Sequence, residues 1–177
     1  MVSLIIGGVR SGKSHYAQRL AMSAKSVVFL ATAVPSDEEM RLKIEKHRKE
    51  RPTTWKTIEV PLNLHAAISE YGHDNCLLLI DCLTTFTANL LGAEGENQDA
   101  ILGQVDRLCA ALRSTVAQVV VVSNEVGSGI VPAFASGRRF RDLLGEINQN
   151  VARLSTNVIL MVAGCPLALK GSVEALP

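Results

Sequence analysis

Two hydrophobic patterns alternate along this chain: short, almost continuous apolar runs and longer segments with helical periodicity. The apolar runs lie at 26–31, 76–81, 118–123 and 157–163, and another precedes a glycine-rich turn at the start of the chain. Such runs are typical of strands that are buried on both faces of a parallel sheet. Strands that alternate with helices predict an α/β fold, with a largely parallel central sheet covered by helices on both faces.

The segments between these strands are predicted from their spacing and their turn residues. A further strand with alternating character is predicted over 54–60. The predicted helices cover 13–22, 36–50, 61–71, 83–91, 100–116 and 138–154. The predicted loops cover 92–98 and 124–137, and 164–177 is interpreted as a short tail. The loop over 92–98 is too short to be a domain linker, and we expect residues 1–177 to form one domain.

The glycine-rich turn is the strongest motif in the chain. Gly7 to Ser14 fits G-x-x-x-x-G-K-S, the phosphate-binding P-loop, between a predicted strand and a predicted helix. Glycine allows backbone N–H groups to wrap closely around a phosphate, and the following helix directs its N-terminus at the anion. Lys13 supplies a charge for the β- and γ-phosphates, and the Ser14 hydroxyl is placed to ligate Mg²⁺. The alternative is a glycine-rich turn without a ligand.

A carboxylate at the end of an apolar strand is the second expected part of a nucleotide site. Asp81 ends the run 76–81, and in α/β sheets ligands bind beyond the carboxyl ends of the strands. Asp81 would therefore lie near the P-loop and hold Mg²⁺ directly or through water. An aspartate that caps the next helix is the alternative. Glu59 ends another predicted strand and is a candidate second carboxylate, or a surface residue. The stretch 123–127 follows the third buried strand, where a residue that senses the γ-phosphate or substrate is often placed.

His47 is a candidate for covalent chemistry on the predicted helix 36–50. Met40, Ile44 and His47 share one helical face, so we expect His47 to turn toward the protein body. Basic neighbours disfavour the imidazolium, and a neutral imidazole can accept a phosphoryl or nucleotidyl group. These neighbours are Lys46, Arg48, Lys49 and Arg51. On this pattern alone, a partly buried structural histidine is the favoured interpretation.

Composition excludes several other classes of protein. The 177 residues carry a formal net charge of +1 and only 4% aromatic residues, which argues against a nucleic-acid or anionic-membrane partner. No apolar run approaches the length of a membrane span, and no signal-peptide pattern opens the chain. The four cysteines lack metal-binding spacing, and we expect buried free thiols and a cytoplasmic location.

An ordered set of motifs extends over nearly the whole chain. It comprises Gly7–Ser14 with Arg10 inside, Ala31-Thr32-Ala33, Asp37-Glu38-Glu39 before Met40, His47-Arg48-x-x-Arg51-Pro52, Trp55, Glu59, Leu79–Thr84, Asn89-Leu90-Leu91, Ser123–Gly127, Ile130-Val131-Pro132, Arg139–Gly145 and Asn148-Gln149. With this set, the chain resembles the bifunctional adenosylcobinamide kinase / adenosylcobinamide-phosphate guanylyltransferase family of cobalamin biosynthesis.

The resemblance implies a RecA-like P-loop fold, typically in a homotrimer, and two reactions at one nucleotide site. A nucleoside triphosphate, ATP or GTP, would phosphorylate the aminopropanol hydroxyl of adenosylcobinamide. GTP would then give GMP to adenosylcobinamide phosphate through a covalent GMP–histidine intermediate, for which the matching residue is His47. The implied nucleotide contacts are Gly7, Gly8, Val9, Arg10, Ser11, Gly12, Lys13, Ser14, Ala31, Thr32, Ala33, Arg48, Lys49, Glu50, Arg51, Glu59 and Asp81.

Two other functions stay open at this point. One is a monofunctional small-molecule kinase of the P-loop class, in which His47 is structural. The other is a nucleotide-binding switch that transfers no group. If both transfers occur, bonds break at the γ-phosphorus in one and at the α-phosphorus in the other. We therefore predict that the bound triphosphate, or the helix that carries His47, shifts between the two reactions.

Overall fold

A computed structural model describes residues 1–35, 38–49 and 51–173. Within these ranges the strands are β1 Val2–Gly7, β2 Ser26–Ala31, β3 Lys56–Glu59, β4 Cys76–Asp81, β5 Gln118–Val122, β6 Asn157–Val162 and β7 Cys165–Lys170. The helices are α1 Lys13–Ala21, α2 Glu38–Lys49, α3 Leu64–Tyr71, α4 Leu83–Glu94, α5 Gln98–Ser114 and α6 Ala135–Leu154. None of the helices in these ranges is long and apolar enough to cross a membrane.

The strands form one sheet in the order β3-β2-β4-β5-β1-β6-β7. All neighbouring pairs are parallel except β6 and β7, which run antiparallel. Strand β5 separates β1, which leads into the P-loop, from β4, which ends on Asp81. Because parallel strands end at the same edge of a sheet, the P-loop and the ends of β2, β3 and β4 face the same side of the molecule.

Alternate residues of the central strands enter two separate cores, which explains their continuous apolar sequence. On β2, Val28 and Leu30 pack in the core that includes α3, α4, α5 and α6, whereas Val27 and Phe29 pack in the core that includes α1. The predicted sheet with helices on both faces is therefore confirmed.

The predicted loop over 92–98 was largely wrong. Helix α4 continues to Glu94, and α5 already begins at Gln98. Gly95 ends α4 with φ 57°, a left-handed conformation that glycine adopts without penalty. The Asn97 side chain then caps α5 by accepting a hydrogen bond from the Ala100 N–H at 3.2 Å. The connection between α4 and α5 therefore consists of Gly95, which ends one helix, Asn97, which caps the next, and the residue between them.

The predicted tail contains a strand that the sequence analysis missed. Strand β7 pairs with β6 through a two-residue turn in which Ala163 has φ 50° and Gly164 has φ 82°. Positive φ at both central residues is the geometry of the tight hairpin turn that matches strand twist. Alanine rarely adopts positive φ, so Ala163 does not indicate a turn in the sequence. The expectation of buried thiols was wrong for one cysteine. Cys165, the first residue of β7, is exposed, whereas Cys76 and Cys109 are buried.

Candidate active site

The P-loop joins β1 to α1 through a close approach of two backbones. A Cβ atom on Gly7 would lie 2.4 Å from the carbonyl oxygen of Met161 on β6, so only glycine fits there. Gly12 has φ 94° and precedes the first residue of α1, Lys13. The Lys13 Nζ donates a hydrogen bond to the Gly8 carbonyl oxygen at 2.6 Å. The loop thus holds its lysine at the start of the helix, where a bound anion would meet it.

A cavity of about 400 Å³ opens beside this loop, at the carboxyl edge of the sheet. Ten of the predicted nucleotide contacts line it: Val9, Arg10, Lys13, Ser14, Ala31, Ala33, Arg48, Arg51, Glu59 and Asp81. The fold therefore brings the P-loop, the ends of β2, β3 and β4, helix α2 and the residues just after it to one site.

The remaining predicted residues do not line this cavity in the described part of the chain. Gly7, Gly8, Ser11 and Gly12 complete the P-loop itself, and Thr32 and Lys49 lie outside the lining. Glu50 is not among the described residues. His47 lies on the α2 backbone, but its side chain is outside the described part, as is that of Met40.

Thr32 is fully buried and fastens the ends of two strands together. Its hydroxyl donates to the Cys82 carbonyl oxygen at 2.7 Å and accepts from the Cys82 N–H at 2.8 Å, and it also contacts the Thr85 hydroxyl. The Thr32 carbonyl oxygen accepts a hydrogen bond from Asn89 at 2.8 Å. Its side chain thus holds Ala31, Ala33 and Asp81 in place around the cavity.

Arg48 and Arg51 add to the positive charge that Arg10 and Lys13 of the P-loop give the cavity. The Arg51 guanidinium lies 3.5 Å from the centroid of the Phe29 ring, a cation–π contact. Burial lowers the pKa of Arg51, and the charge of Arg48 acts in the same direction, while Asp81 and Glu59 oppose it. The Arg48 Nη2 forms an ion pair with the Glu59 Oε1 at 3.1 Å. This rim is suited to binding phosphate oxygens.

Lys13 is the most buried charge in the cavity, with 9% of the residue exposed. Its burial lowers the pKa of the ammonium group, and the neighbouring Cys82 and Asp81 groups oppose the shift. Burial also raises the pKa of the Cys82 thiol, together with the nearby Asp81 carboxylate. A bound phosphate would supply the negative charge that the buried ammonium lacks.

Ser14 and Asp81 fit a Mg²⁺ site that depends on the nucleotide. Both line the cavity, and both offer oxygen ligands of the kind that Mg²⁺ prefers. Within the described residues there is no group of three or more His, Cys, Asp and Glu that could hold a metal alone. Mg²⁺ usually keeps several waters and binds substrate phosphates along with one or two protein oxygens, so these two residues could hold it only together with a nucleotide.

Several lining residues were not among the predicted contacts: Ile44, Thr57, Cys82, Thr85 and Asn124. Thr57 precedes Glu59 by two residues on β3, so the period of a strand could have placed both on one face. Asn124 lies within 123–127, the stretch already singled out for sensing the γ-phosphate or substrate. Thr85 carries no sequence signal beyond its position in the first turn of α4.

The mostly parallel sheet, the P-loop and the carboxylate at the end of β4 define an α/β P-loop nucleotide-binding protein. An ATPase of a bacterial type III secretion system has a similar fold, with TM-score 0.58 and 12% identity over 94% of this chain and 56% of that one. Sequence comparison identifies the family. The profile of the family described as "Cobinamide kinase / cobinamide phosphate guanyltransferase" matches residues 3–169, and this chain belongs to that family.

Curated relatives match over nearly their full length. The bifunctional adenosylcobalamin biosynthesis protein CobU of Escherichia coli is 38% identical, over 96% of this chain and 100% of the relative. The corresponding protein CobP of Pseudomonas aeruginosa is 40% identical, over 97% of this chain and 98% of the relative. The resemblance inferred from the sequence motifs is confirmed, and the chain belongs to a family of bifunctional enzymes.

Proposed function

We propose that this chain catalyses two successive transfers at the cavity beside the P-loop. In the first, ATP or GTP phosphorylates the aminopropanol hydroxyl of adenosylcobinamide. In the second, GTP gives GMP to adenosylcobinamide phosphate, which yields adenosylcobinamide-GDP and pyrophosphate. The observation that carries the proposal is the convergence of α2 with the P-loop and Asp81: Ile44 and Arg48 of α2 line the same cavity as Lys13 and Asp81.

In the kinase step the substrate hydroxyl oxygen attacks the γ-phosphorus. The bond from that phosphorus to the β–γ bridging oxygen breaks, and the nucleoside diphosphate leaves. Negative charge develops on the transferred group and on the leaving oxygen, and Lys13 and Arg10, which line the cavity, would stabilise it. Lys13 must exchange its hydrogen bond to the Gly8 carbonyl oxygen for bonds to phosphate.

Ser14 and Asp81 would hold Mg²⁺ together with oxygens of the bound triphosphate. When bound, the ion neutralises phosphate charge and helps to orient the phosphates for attack. Asp81 also faces the charge of Arg51, which opposes the effect of burial on the Arg51 pKa. A carboxylate between a metal and an arginine can hold both in position around the phosphates.

In the guanylyl step, a ring nitrogen of His47 attacks the α-phosphorus of GTP and pyrophosphate leaves. A phosphate oxygen of adenosylcobinamide phosphate then attacks the same phosphorus, and the phosphorus–nitrogen bond breaks. In support, His47 lies on the α2 backbone between Ile44 and Arg48, two residues whose side chains line the cavity. Arg48 and Arg51, which line the cavity, would stabilise the departing pyrophosphate.

The two transfers break bonds two phosphorus atoms apart. Since the P-loop is one fixed cradle, we propose that either the triphosphate or helix α2 moves between the steps. Structures with bound nucleotide in both steps test this, and one unchanged pose and helix position would contradict it. The proposal also includes a single domain, a homotrimer and a cytoplasmic location. Analytical ultracentrifugation of the purified protein tests the trimer.

A turnover assay with adenosylcobinamide, ATP, GTP and Mg²⁺ tests the proposed function against its alternatives. The bifunctional enzyme forms adenosylcobinamide phosphate and then adenosylcobinamide-GDP. A monofunctional kinase stops at the phosphate, even with excess GTP. A nucleotide-binding switch binds GTP and turns over no acceptor. A Lys13→Met variant serves as the inactive control in each case.

A further inference from the structure

A second and larger cavity, of about 800 Å³, lies on the other side of the P-loop. The nucleotide cavity is bounded by the ends of β2, β3 and β4 and by Asn124, whereas this one is bounded by residues 125–129 of the loop after β5 and by the end of β6. In the sheet, β6 and β4 lie on opposite sides of β1. The P-loop tip, with Val9 and Arg10, borders both cavities.

The wall of the second cavity is mainly apolar. Val126, Leu160, Met161 and Val162 line it, and Val9 at the loop tip is 85% exposed. The side chain of a valine on a phosphate-binding loop has no donor for a phosphate oxygen, so its apolar surface is free to contact another ligand. Apolar walls with a few polar groups are typical of small-molecule sites.

Hydrogen bonds within its own loop hold one polar side chain of this cavity, that of Glu125. The Glu125 carboxylate accepts hydrogen bonds from the N–H groups of Gly127 at 2.7 Å and Ser128 at 3.3 Å. The Glu125 N–H donates to the Gly7 carbonyl oxygen at 3.0 Å, which ties the loop after β5 to the P-loop. The Arg141 Nη2 on α6 donates to the Gly127 carbonyl oxygen at 2.5 Å. One wall of the cavity is thus held in place relative to the phosphate site.

We propose that this second cavity binds the corrinoid ring of the acceptor substrate. The inference rests on the proposed function, because an acceptor must reach the P-loop phosphates from a side that the nucleotide does not fill. A corrinoid is a broad ring with apolar faces, an amide-bearing rim and a flexible aminopropanol arm. The apolar wall suits the ring, and the shared border at Val9 and Arg10 is the path for the arm toward the phosphates.

This placement lets one bound acceptor serve both transfers. The same aminopropanol arm carries the hydroxyl in the first reaction and the new phosphate in the second. The corrinoid ring can therefore stay in the second cavity while one nucleotide leaves the first cavity and another binds there. Arg10 borders both cavities and would meet that new phosphate.

Two variants of lining residues test the inference, each by a different physical change. Val162→Asp places a charge on the apolar wall, and Ser128→Trp fills the cavity from an exposed loop position. Leu167→Asp is the matched control: Leu167 and Val162 are both 56% exposed in the β6–β7 hairpin, but Leu167 does not line the cavity. Each variant is assayed for KM of adenosylcobinamide, KM of GTP, and oligomeric state by light scattering.

We expect both lining variants to raise the KM of adenosylcobinamide about tenfold or more. The charge of Val162→Asp disfavours an apolar ring, and the indole of Ser128→Trp occupies the space that the ring would fill. The KM of GTP should change less than about twofold, and Leu167→Asp should match the wild type in both constants.

An unchanged acceptor KM in an active protein would overturn the corrinoid site alone. A change of oligomeric state with equal losses for both substrates would identify a second copy of the chain as the occupant. Wild-type protein that turns over no acceptor would overturn the proposed function as well.

Discussion

The hydroxyl of Thr32 forms two hydrogen bonds with the backbone of Cys82, donating to its carbonyl oxygen at 2.7 Å and accepting from its N–H at 2.8 Å. Thr32 follows β2, and Cys82 follows β4. The two hydrogen bonds therefore join the ends of β2 and β4 beside Asp81, which lines the nucleotide cavity. A residue identified by motif resemblance as a ligand contact has a side chain that supports its neighbours.

We predict that Thr32→Val destabilises the protein by about 1–3 kcal/mol, because valine keeps the shape but leaves the Cys82 N–H without its acceptor. The Cys82 carbonyl oxygen keeps the Phe86 N–H at 3.2 Å, so the loss is confined to one group. Urea unfolding measures the change. Thr54→Val, at an exposed position, should stay within about 0.5 kcal/mol of the wild type. Equal stability of the two variants would contradict the role assigned to Thr32.

Asp81→Asn should weaken both transfers by about a hundredfold or more and raise the Mg²⁺ concentration needed for half-maximal rate, because an amide is a poorer ligand than a carboxylate. Asp74→Asn is its control, since Asp74 is exposed and precedes β4 while Asp81 ends it. The rates of both transfers, measured at several Mg²⁺ concentrations, test this prediction. A loss in Asp81→Asn that is independent of Mg²⁺ would argue that this carboxylate does not bind the metal.

The pH dependence of stability tests the buried charge of Lys13. Because burial lowers its pKa in the folded protein, the unfolded chain binds more protons between that lowered pKa and the ordinary value of 10.5. The stability of the wild type relative to Lys13→Met should therefore rise as pH increases through this window. Denaturant unfolding at neutral and alkaline pH measures it, with Lys25→Met as the exposed control. A constant difference between wild type and Lys13→Met would contradict the shift.

Sequence reasoning predicted most of this fold because its strongest signals are local. The apolar runs at β2 and β4 and the G-x-x-x-x-G-K-S motif each follow from residues close together in the chain. The parallel arrangement then brought Lys13 and Asp81 to one edge without any knowledge of contacts. The missed strand β7 depends on Ala163 in a left-handed conformation, which its side chain does not favour.

The site was predicted less completely, because contacts between distant segments have no periodic signal. The contact of Arg51 with Phe29 joins a residue after α2 to a strand more than 20 positions earlier. The burial of the Thr32 side chain depends on its bonds to Cys82 and Thr85. The second cavity depends on the exposure of Val9 and Val162, which an apolar pattern alone predicts to be buried.

Glu59→Gln should raise the KM of GTP in the guanylyl step about tenfold and leave ATP-driven phosphorylation within about twofold. The reason is a role that we predict for Glu59, which lines the nucleotide cavity: its carboxylate accepts the adjacent ring and amino N–H donors of guanine, a pair that adenine lacks. The Arg48–Glu59 ion pair is 61% and 66% exposed, so its loss should cost less than about 1 kcal/mol of stability. Parallel kinetics with both nucleotides check this against Glu96→Gln, and equal losses for ATP and GTP would argue against base recognition.

Covalent labelling with GTP that carries the label on its α-phosphate tests the central claim most directly. The wild type should acquire one label on His47, stable to base and labile to acid as a phosphorus–nitrogen bond is. His47→Ala should acquire none while it keeps most of the kinase activity, and His73→Ala, at an exposed position, should label normally. Unlabelled wild-type protein, or a label that persists in His47→Ala, would contradict the account.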